Sequence, residues 1–359
     1  MTQRPTIFQS LLIISLFLLV SCNTKDTTAN HPSTAITKDG PANFFGKPEE
    51  YLDWQAEQIL HATELTISKY PPQIEEPFER QLAMLMLDAV FHDVKAPHRE
   101  PVQAFHVRRT LSALEEIEST STTAGMHIWK LYDMGVIVRT KSVTVAFDIT
   151  RGYSSGSESF ALPDDIIDRI ATQCDALFIS HFHQDHADEA VARAFLDQGK
   201  PVVTPNNVWE EKPIHNEITH LERIAHEIQN LRLNNKNVDL NVVIYPGHQG
   251  ADILNNVVLV VTPEGYSVCH TGDQSSRDDF SWINEVKDHF TLDVLIPNCW
   301  TTDPLQASQG FNPQLIIPTH ENELGHTIDH REAYALNYSR WNVPYDKVIM
   351  TWGESYHYE

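Results

Sequence analysis

Three histidines and one aspartate lie within six residues of this chain, in the segment His181-Phe-His-Gln-Asp-His186. The segment follows the apolar run Asp175-Ala-Leu-Phe-Ile-Ser180, which predicts a buried β-strand that ends where the cluster begins. Imidazoles and carboxylates are the usual ligands of zinc and its neighbours, and four of them would be costly to bury without an ion. The spacing therefore predicts a metal site at the end of a strand. Its candidate ligands are His181, His183, Asp185 and His186.

Four more polar residues occupy the same kind of position, each just after an apolar, strand-like run. They are Asp148 in Phe147-Asp-Ile-Thr150, His248 in Tyr245-Pro-Gly-His-Gln-Gly250, Asp273 in His270-Thr-Gly-Asp273, and His320 after Leu315-Ile-Ile-Pro-Thr319. Together with the six-residue cluster, these motifs stand in the order that marks the metallo-β-lactamase fold superfamily, which the chain resembles over roughly residues 125–352. The residues before position 125 have no part in that resemblance.

The resemblance implies two metal ions and seven ligands. One ion would use His181, His183 and His248, the second Asp185, His186 and His320, and Asp273 would bridge them. A hydroxide bridging the two ions would attack the substrate, and Asp185 is the candidate catalytic residue that orients the water or relays its proton. Because all seven donors are nitrogen or oxygen, zinc is the expected ion and manganese the close second. Asp148 would accept a hydrogen bond from a ligand imidazole or, alternatively, cap a turn.

Within the superfamily, the segments Asp175–His181 and His270–Asp273 resemble one branch more than the true β-lactamases. That branch contains UlaG-like sugar-phosphate lactonases and phosphodiesterases of N-acyl phosphatidylethanolamines. It implies a metal-dependent hydrolase that acts on a phosphodiester or lactone-type substrate, either a small molecule or a lipid derivative. Two alternatives remain open: a hydrolase of another ester or amide class, and a non-catalytic, metal-binding interaction lipoprotein. Trp300 and Asn298 are the candidate pocket residues; the alternative for Trp300 is a buried side chain that anchors its loop.

The elements that must position these ligands begin near residue 125. Strands in succession, followed by alternating strands and helices, predict stacked sheets flanked by helices, which is an α+β fold. The resemblance implies the αββα sandwich of the superfamily. Between residues 48 and 120, apolar residues such as Leu82, Leu85 and Met86 recur at helical spacing and predict an N-terminal helical extension. Residues 219–231 are predicted as a further helix.

The first 21 residues predict a signal peptide, because Arg4 precedes an apolar stretch too short for a comfortable membrane span. The stretch ends in Leu19-Val-Ser-Cys22, which resembles the cleavage box of bacterial lipoproteins and implies lipidation of Cys22; an ordinary secretory signal is the alternative. The polar composition that follows predicts a flexible tether over residues 22–46. A helical region would then span 47–124 and the catalytic domain 125–359. The expected location is the cell envelope, with the membrane contacted through Cys22 only.

The charge of the chain excludes one class of partner. The sequence has 26 Lys and Arg against 49 Asp and Glu, and removal of the leader with Arg4 leaves 25 against 49, a net charge of −24. So acidic a chain, without a basic stripe, is not expected to bind nucleic acid. Besides Cys22 it has three widely spaced cysteines, which do not predict a disulfide framework. The sequence does not predict an oligomeric state.

Overall fold

The computed structural model describes residues 36, 38–42, 45–152 and 161–359. The predicted signal peptide, Cys22 and most of the predicted tether lie outside them.

The helices described are α1 Pro48–Lys69, α2 Phe78–Phe91, α3 Glu100–Ser119, α4 Asp164–Gln173, α5 Glu189–Leu196, α6 Phe280–Ile283, α7 Val286–His289, α8 Pro304–Phe311 and α9 Tyr334–Arg340. The strands are β1 Met126–Lys130, β2 Val136–Arg139, β3 Thr144–Phe147, β4 Ala176–Phe178, β5 Val202–Val203, β6 Gln229–Leu233, β7 Val238–Gln249, β8 Ile253–Val261, β9 Ser267–His270, β10 Leu292–Ile296, β11 Pro313–Ile316, β12 Asp346–Lys347 and β13 Glu354–Tyr358. Within the described residues, no helix has the length and apolar character needed to cross a bilayer.

The strands form two mixed sheets. The first has the order β13-β1-β2-β3-β4-β5 and the second the order β12-β11-β10-β9-β8-β7-β6. In the first sheet β3, β4 and β5 are parallel, and α4 and α5 make the crossovers between them. In the second sheet β9 to β12 are parallel. Parallel neighbours end at the same edge of a sheet, so segments that follow β4, β9 and β11 emerge at shared edges.

Apolar side chains form three cores, one between the two sheets and one on the outer face of each sheet. Phe147 of the first sheet and Val260 of the second belong to the core between the two sheets. On the outer face of the first sheet, Ile170 of α4 packs in a core shared with α3 and α5. On the outer face of the second sheet, Trp282 and Phe311 bring α6 and α8 into a further core. The layers are helix, sheet, sheet and helix, and the predicted α+β sandwich is confirmed.

The N-terminal helical extension is also confirmed, and it packs against the C-terminal part of the chain. Phe91 of α2 stacks on Trp352 with ring centroids 4.4 Å apart. The guanidinium of the fully buried Arg80 donates to both carboxylate oxygens of Glu354, at 2.8 and 2.6 Å. Removal of one partner from such a buried ion pair costs about 3–5 kcal/mol, because the other charge is left uncompensated. All described residues belong to one compact unit; the predicted boundary at residue 125 stays a prediction.

The prediction of a helix over residues 219–231 is wrong. Residues 221–228 form an irregular segment, and β6 begins at Gln229. Leu231 and Leu233 alternate with exposed residues and pack into the core between the sheets. Antiparallel pairing with β7 satisfies the backbone of β6 and buries its alternate side chains. This tertiary pairing outweighs the helical spacing of the apolar residues in the sequence.

Candidate metal centre

The seven predicted ligands stand at strand ends where the edges of the two sheets meet. The turn between β4 and α5 carries His181, His183, Asp185 and His186, the end of β7 carries His248, and the segments after β9 and β11 carry Asp273 and His320. The backbone amide of Asn256 in the second sheet donates to the carbonyl oxygen of Ser180 at 2.7 Å, which joins the two edges. The fold thus delivers ligands from both sheets to one place.

Four side chains form what we call the buried half of the centre. They are Asp185, His186, His320 and Asp273. The Nε2 atom of His186 lies 3.4 Å from Asp185 Oδ2 and 3.4 Å from Asp273 Oδ1. The Nε2 atom of His320 lies 3.5 and 3.2 Å from the same two oxygens. Donors arranged tetrahedrally around a zinc ion at ~2.0–2.1 Å are about 3.3–3.4 Å apart, and these four nitrogen–oxygen distances lie close to that value.

Three of these donor atoms are buried without a hydrogen-bond partner. They are the Nε2 atoms of His186 and His320 and the Oδ1 atom of Asp273. Their side chains are at most 2% exposed. An unsatisfied buried polar atom costs about 1–3 kcal/mol, and three that face one another are not explained by packing. A divalent cation would satisfy all three, so the residues present fit a metal ion.

The electrostatics of the buried half also favour positive charge. Burial by itself would raise the pKa of Asp273, but the imidazoles of His186 and His320 outweigh it and hold that pKa well below its usual range. The pKa of Asp185 is lowered in the same way. Conversely, burial would lower the pKa of His186, yet the carboxylates of Asp273 and Asp185 raise it well above its ordinary value. The two carboxylates therefore stabilise a cation between them, either a proton on an imidazole or a metal ion.

Two further aspartates hold the outer nitrogens of the buried imidazoles. Asp148 Oδ2 lies 2.8 Å from His186 Nδ1 and accepts a hydrogen bond from Ser180 Oγ at 2.7 Å. Asp133 Oδ1 lies 3.2 Å from His320 Nδ1. When a metal ion is bound, a proton on Nδ1 directed at Asp148 leaves the Nε2 lone pair of His186 facing the centre. Asp133, Asp148 and His320 all have positive φ angles, of 55°, 44° and 75°. For non-glycine residues each such conformation costs about 1–3 kcal/mol, and strain of this kind concentrates at functional sites.

The other predicted ligands form what we call the open half: His181, His183 and His248, together with the Oδ2 atom of Asp273. The Nε2 atom of His181 lies 3.6 Å from Asp273 Oδ2 and 2.9 Å from His183 Nδ1. The side chain of His248 is 31% exposed, whereas that of His186 is fully buried. Burial lowers the pKa of His181 to about 3, so this imidazole is neutral at physiological pH.

Two contacts shape the open half from outside. Asp279 lies 2.8 Å from His248 Nδ1 and accepts from the backbone amide of the same residue at 2.8 Å. Gln249 donates its side-chain amide to Asp273 Oδ2 at 2.8 Å. The first contact orients the imidazole of His248 for ligation, and the second occupies the carboxylate oxygen that faces this half.

The structure brings five of the seven predicted ligands into compact groups. Among the described residues, ligand atoms that lie within 4.8 Å of one another group His181 with His186 and Asp273, and group Asp185 with His186, His320 and Asp133. His183 and His248 belong to no such group. Their assignment to a second ion stays a prediction.

Sequence reasoning missed Asp133 and Asp279, which orient two of the histidines. Asp133 lies in the turn between β1 and β2, and Asp279 directly precedes α6. Aspartate is common in turns and before helices, so neither position carries a signal of its own. The hydrogen bond predicted for Asp148 is present, and His270 contacts the Met134 carbonyl oxygen rather than the centre.

A cleft of about 290 Å³ opens at the centre. It is lined by His183, Gln184, Asp185, Glu323, Gly325 and His326. The ring of Trp300 stands edge-on to His320, with centroids 5.7 Å apart, which places this predicted pocket residue beside the centre. Asn298 is fully buried and donates to the carbonyl oxygens of Gly272 and Gln274, so its predicted place in the pocket wall is wrong. Its amide instead holds the segment that carries Asp273.

The sequence matches no protein-family model and no curated protein, but the fold is similar to several solved structures. Igni18, a metallo hydrolase from Ignicoccus hospitalis, is 17% identical with a TM-score of 0.48, over 66% of this chain and 99% of that one. An isothiocyanate hydrolase from Delia radicum gut bacteria is 12% identical with a TM-score of 0.48, over 65% and 99%. A candidate Zn-dependent hydrolase of the metallo-β-lactamase superfamily from Thermotoga maritima is 16% identical with a TM-score of 0.30, over 55% and 76%. At these low identities and scores, the functional argument rests on the site itself.

Proposed function

We propose that this chain is a dinuclear metal-dependent hydrolase of the metallo-β-lactamase superfamily. One observation carries the proposal: the buried Nε2 atoms of His186 and His320 lie 3.4 and 3.2 Å from Asp273 Oδ1, and none of these three donor atoms has a hydrogen-bond partner. Structural networks satisfy their buried polar atoms, so an unsatisfied set of this composition points to a bound cation.

The residues that would hold the ions follow from the two halves. Asp185, His186 and His320 would hold one ion, and His181, His183 and His248 the other, with Asp273 shared between them. When bound, two such ions lower the pKa of a water molecule to near neutrality and polarise the carbonyl or phosphoryl group that it attacks. Zinc is the preferred ion, with manganese second, because the ligands are imidazoles and carboxylates without a thiolate.

Within this site Asp185 is the candidate catalytic residue. Its side chain is 13% exposed and lines the cleft, unlike the fully buried His186 beside it. A carboxylate in this position can accept a hydrogen bond from the attacking water and carry its proton toward the leaving group. Asp148 and Asp133 would keep the imidazoles aligned, so that the geometry needs no adjustment during the reaction.

We propose a phosphodiester or a lactone as the substrate class. The support is the resemblance of the motifs around His181 and Asp273 to the branch that contains these hydrolases, together with the modest cleft of about 290 Å³. A centre with two dications attracts anionic groups although the chain as a whole is acidic. The ring of Trp300 beside His320 offers an apolar surface at the same opening.

An activity screen combined with metal analysis tests the proposal. The full chain would be loaded with zinc or with manganese and assayed on phosphodiesters, lactones and acyl amides, while bound metal is counted. Two equivalents of metal with turnover support the hydrolase. Two equivalents without turnover on any of these substrates would favour the non-catalytic metal-binding lipoprotein. Asp185→Asn would abolish turnover while the protein stays folded.

We also propose that the protein is a lipoprotein of the cell envelope, held at the membrane through Cys22 alone. The sequence Leu19-Val-Ser-Cys22 after an apolar leader is the support. Metabolic labelling with palmitate in a bacterial host should mark the wild type and leave Cys22→Ala unlabelled. Labelling of the Cys22→Ala variant would overturn the assignment, with Cys174→Ala as the matched control that keeps the label.

A further inference from the structure

A second cluster of ligand side chains lies apart from the centre. His226, Glu285 and His289 bring three ligand atoms within 4.8 Å of one another. His226 comes from the irregular segment 221–228, whereas Glu285 precedes α7 and His289 ends it. His226 Nε2 lies 3.6 Å from Glu285 Oε2, and the rings of His226 and His289 are stacked with centroids 3.9 Å apart.

His226 is held in an orientation suited to ligation. Its Nδ1 atom lies 3.3 Å from the hydroxyl oxygen of Tyr245, and the ring of Tyr245 is buried and stacked on Trp282. Its Nε2 atom is buried and has no hydrogen-bond partner. When the Nδ1 proton is donated to the Tyr245 oxygen, the Nε2 lone pair is available to a cation beside Glu285 Oε2, 3.6 Å away, and the exposed ring of His289 would turn from its stacked position to bind the same cation. The φ angle of His226 is +66°, so the backbone is strained where the imidazole takes this position.

The surroundings of His226 disfavour a positive charge on its imidazole when no cation is present. Burial, and then the neighbouring His289, lower the pKa of His226, while Glu285 acts in the opposite direction. Two imidazoles and one carboxylate form a ligand set that zinc, nickel and copper all accept, and water can complete the coordination. The buried Nε2 atom, which has no hydrogen-bond partner and lies 3.6 Å from Glu285 Oε2, is what distinguishes this group from an ordinary surface cluster of histidine and glutamate.

We propose that His226, Glu285 and His289 form a peripheral binding site for a borderline divalent metal ion. The site shares no ligand with the candidate centre: Tyr245, which orients it, precedes His248 by three residues, about 10 Å along β7. A bound ion would tie segment 221–228 to α7. The same segment carries Arg223, which donates to the carbonyl oxygens of Gly247 and Asn255 beside the strand end that presents His248.

Zinc binding to the full chain tests this site. Wild type, the double variant Glu285→Ala with His289→Ala, and the control His98→Ala would be dialysed to equilibrium against the same buffered zinc, and bound zinc counted. Glu285, His289 and His98 are all exposed, so these changes leave the core intact. The double variant should bind one zinc fewer than wild type and His98→Ala, with unchanged hydrolytic activity. An equal count in wild type and double variant would overturn the proposal.

The difference in zinc count between wild type and variant stays decisive even if the central site binds fewer ions than proposed. A second measurement uses copper alone as the probe. The electron paramagnetic resonance spectrum of wild type should contain a nitrogen-coordinated signal that the double variant lacks. Tyr245→Phe, which keeps the ring and removes the hydroxyl, should weaken binding at this site about 10-fold or more. Identical copper spectra in wild type and double variant would count against the site.

Discussion

The two halves of the centre differ in how completely the protein prepares them. In the buried half, the nitrogens of His186 and His320 stand 3.2–3.5 Å from two carboxylate oxygens, and each imidazole is backed by a buried aspartate. In the open half, His248 is 31% exposed and the nitrogens of His181 and His183 are in mutual contact at 2.9 Å. Under the proposed assignment of two ions, the buried half is the pre-formed ion site and the open half would be assembled when its ion binds.

The features that prepare the buried half for a metal ion also favour protons on its imidazoles, and the open half lacks this effect. Carboxylates that hold buried imidazoles ready for a cation raise the pKa values of His186 and His320, so protons compete with a metal ion for the site. His181 in the open half stays neutral, because burial lowers its pKa to about 3. We therefore expect the buried half to be the more selective among metal ions, and its metal affinity to be the more sensitive to pH. The ion of the open half should exchange more readily with solution.

The largest effect is expected from removal of a ligand in the buried half. His186→Ala deletes one of four donors and leaves the carboxylates of Asp185 and Asp273 unbalanced. Hydrolytic activity should fall by about 10³-fold or more, equivalent to at least about 4 kcal/mol of transition-state stabilisation, and zinc content should drop by at least one equivalent. Zinc analysis and steady-state kinetics on the best substrate measure both quantities.

The matched change in the open half is His248→Ala. This variant should keep the ion of the buried half and lose the other, with a smaller loss of activity than His186→Ala causes. If His248→Ala removed both ions while His186→Ala removed only one, the order of the two halves would be reversed. Unchanged zinc content in His186→Ala would contradict the ligand assignment itself.

The next effect is the pH dependence of zinc affinity. In the ion-free protein His186 and His320 have raised pKa values, so an ion must displace protons from the buried half. Affinity should therefore fall as pH decreases, by about tenfold per pH unit for each proton displaced. Calorimetry of the His248→Ala variant in buffers of different ionisation enthalpy, between about pH 6 and 8, would count the released protons. Zinc binding without proton release would show that the buried half is empty of protons.

A third effect separates the aspartates that orient the two halves. Asp148→Asn removes the carboxylate that accepts from His186, and Asp279→Asn removes the one that contacts His248. Each should weaken one ion by about 10–100-fold, since the imidazole loses its fixed tautomer and part of its basicity. Competition with a zinc-binding dye should show the loss in the tight ion for Asp148→Asn and in the weak ion for Asp279→Asn. Equal losses of both ions in both variants would mean that the halves are not separable.

The sequence predicted the buried half better than the surroundings that prepare it. The cluster from His181 to His186 is local in the chain, so its spacing alone indicates a metal site. Asp273 and His320 were reached through the order of motifs in a known superfamily. Asp133 contacts His320, which lies 187 residues away in the chain, and Asp279 contacts His248, which lies 31 residues away. In a sequence with 49 acidic residues, nothing marks which of them will meet a histidine.

The fold shows the same division between local and distant information. The layered α+β arrangement and the N-terminal helices follow from the periodicity of apolar residues, which each segment carries by itself. The irregular segment 221–228 and the edge strand β6 do not follow from this local periodicity, because Leu231 and Leu233 are buried only once β6 pairs with β7. The predicted helix there failed for the same reason that the orienting aspartates were missed: a distant partner decided the outcome.

The smallest predicted effect isolates the oxygen that the two halves share. Gln249 donates to Asp273 Oδ2 at 2.8 Å, so in the ion-free protein its amide competes with an ion of the open half for that oxygen. Gln249→Ala should tighten the weaker zinc ion by about fivefold, which corresponds to the net value of one hydrogen bond of about 1 kcal/mol. The tighter ion should be unaffected, because Asp273 Oδ1 serves the buried half. Zinc titration of the variant beside Gln184→Ala, which changes a neighbouring glutamine in the cleft, would measure the shift. If Gln249→Ala instead weakened zinc binding at the open half, the amide would support the site rather than compete with the ion. The open half would then be better prepared for an ion than the exposure of His248 indicates.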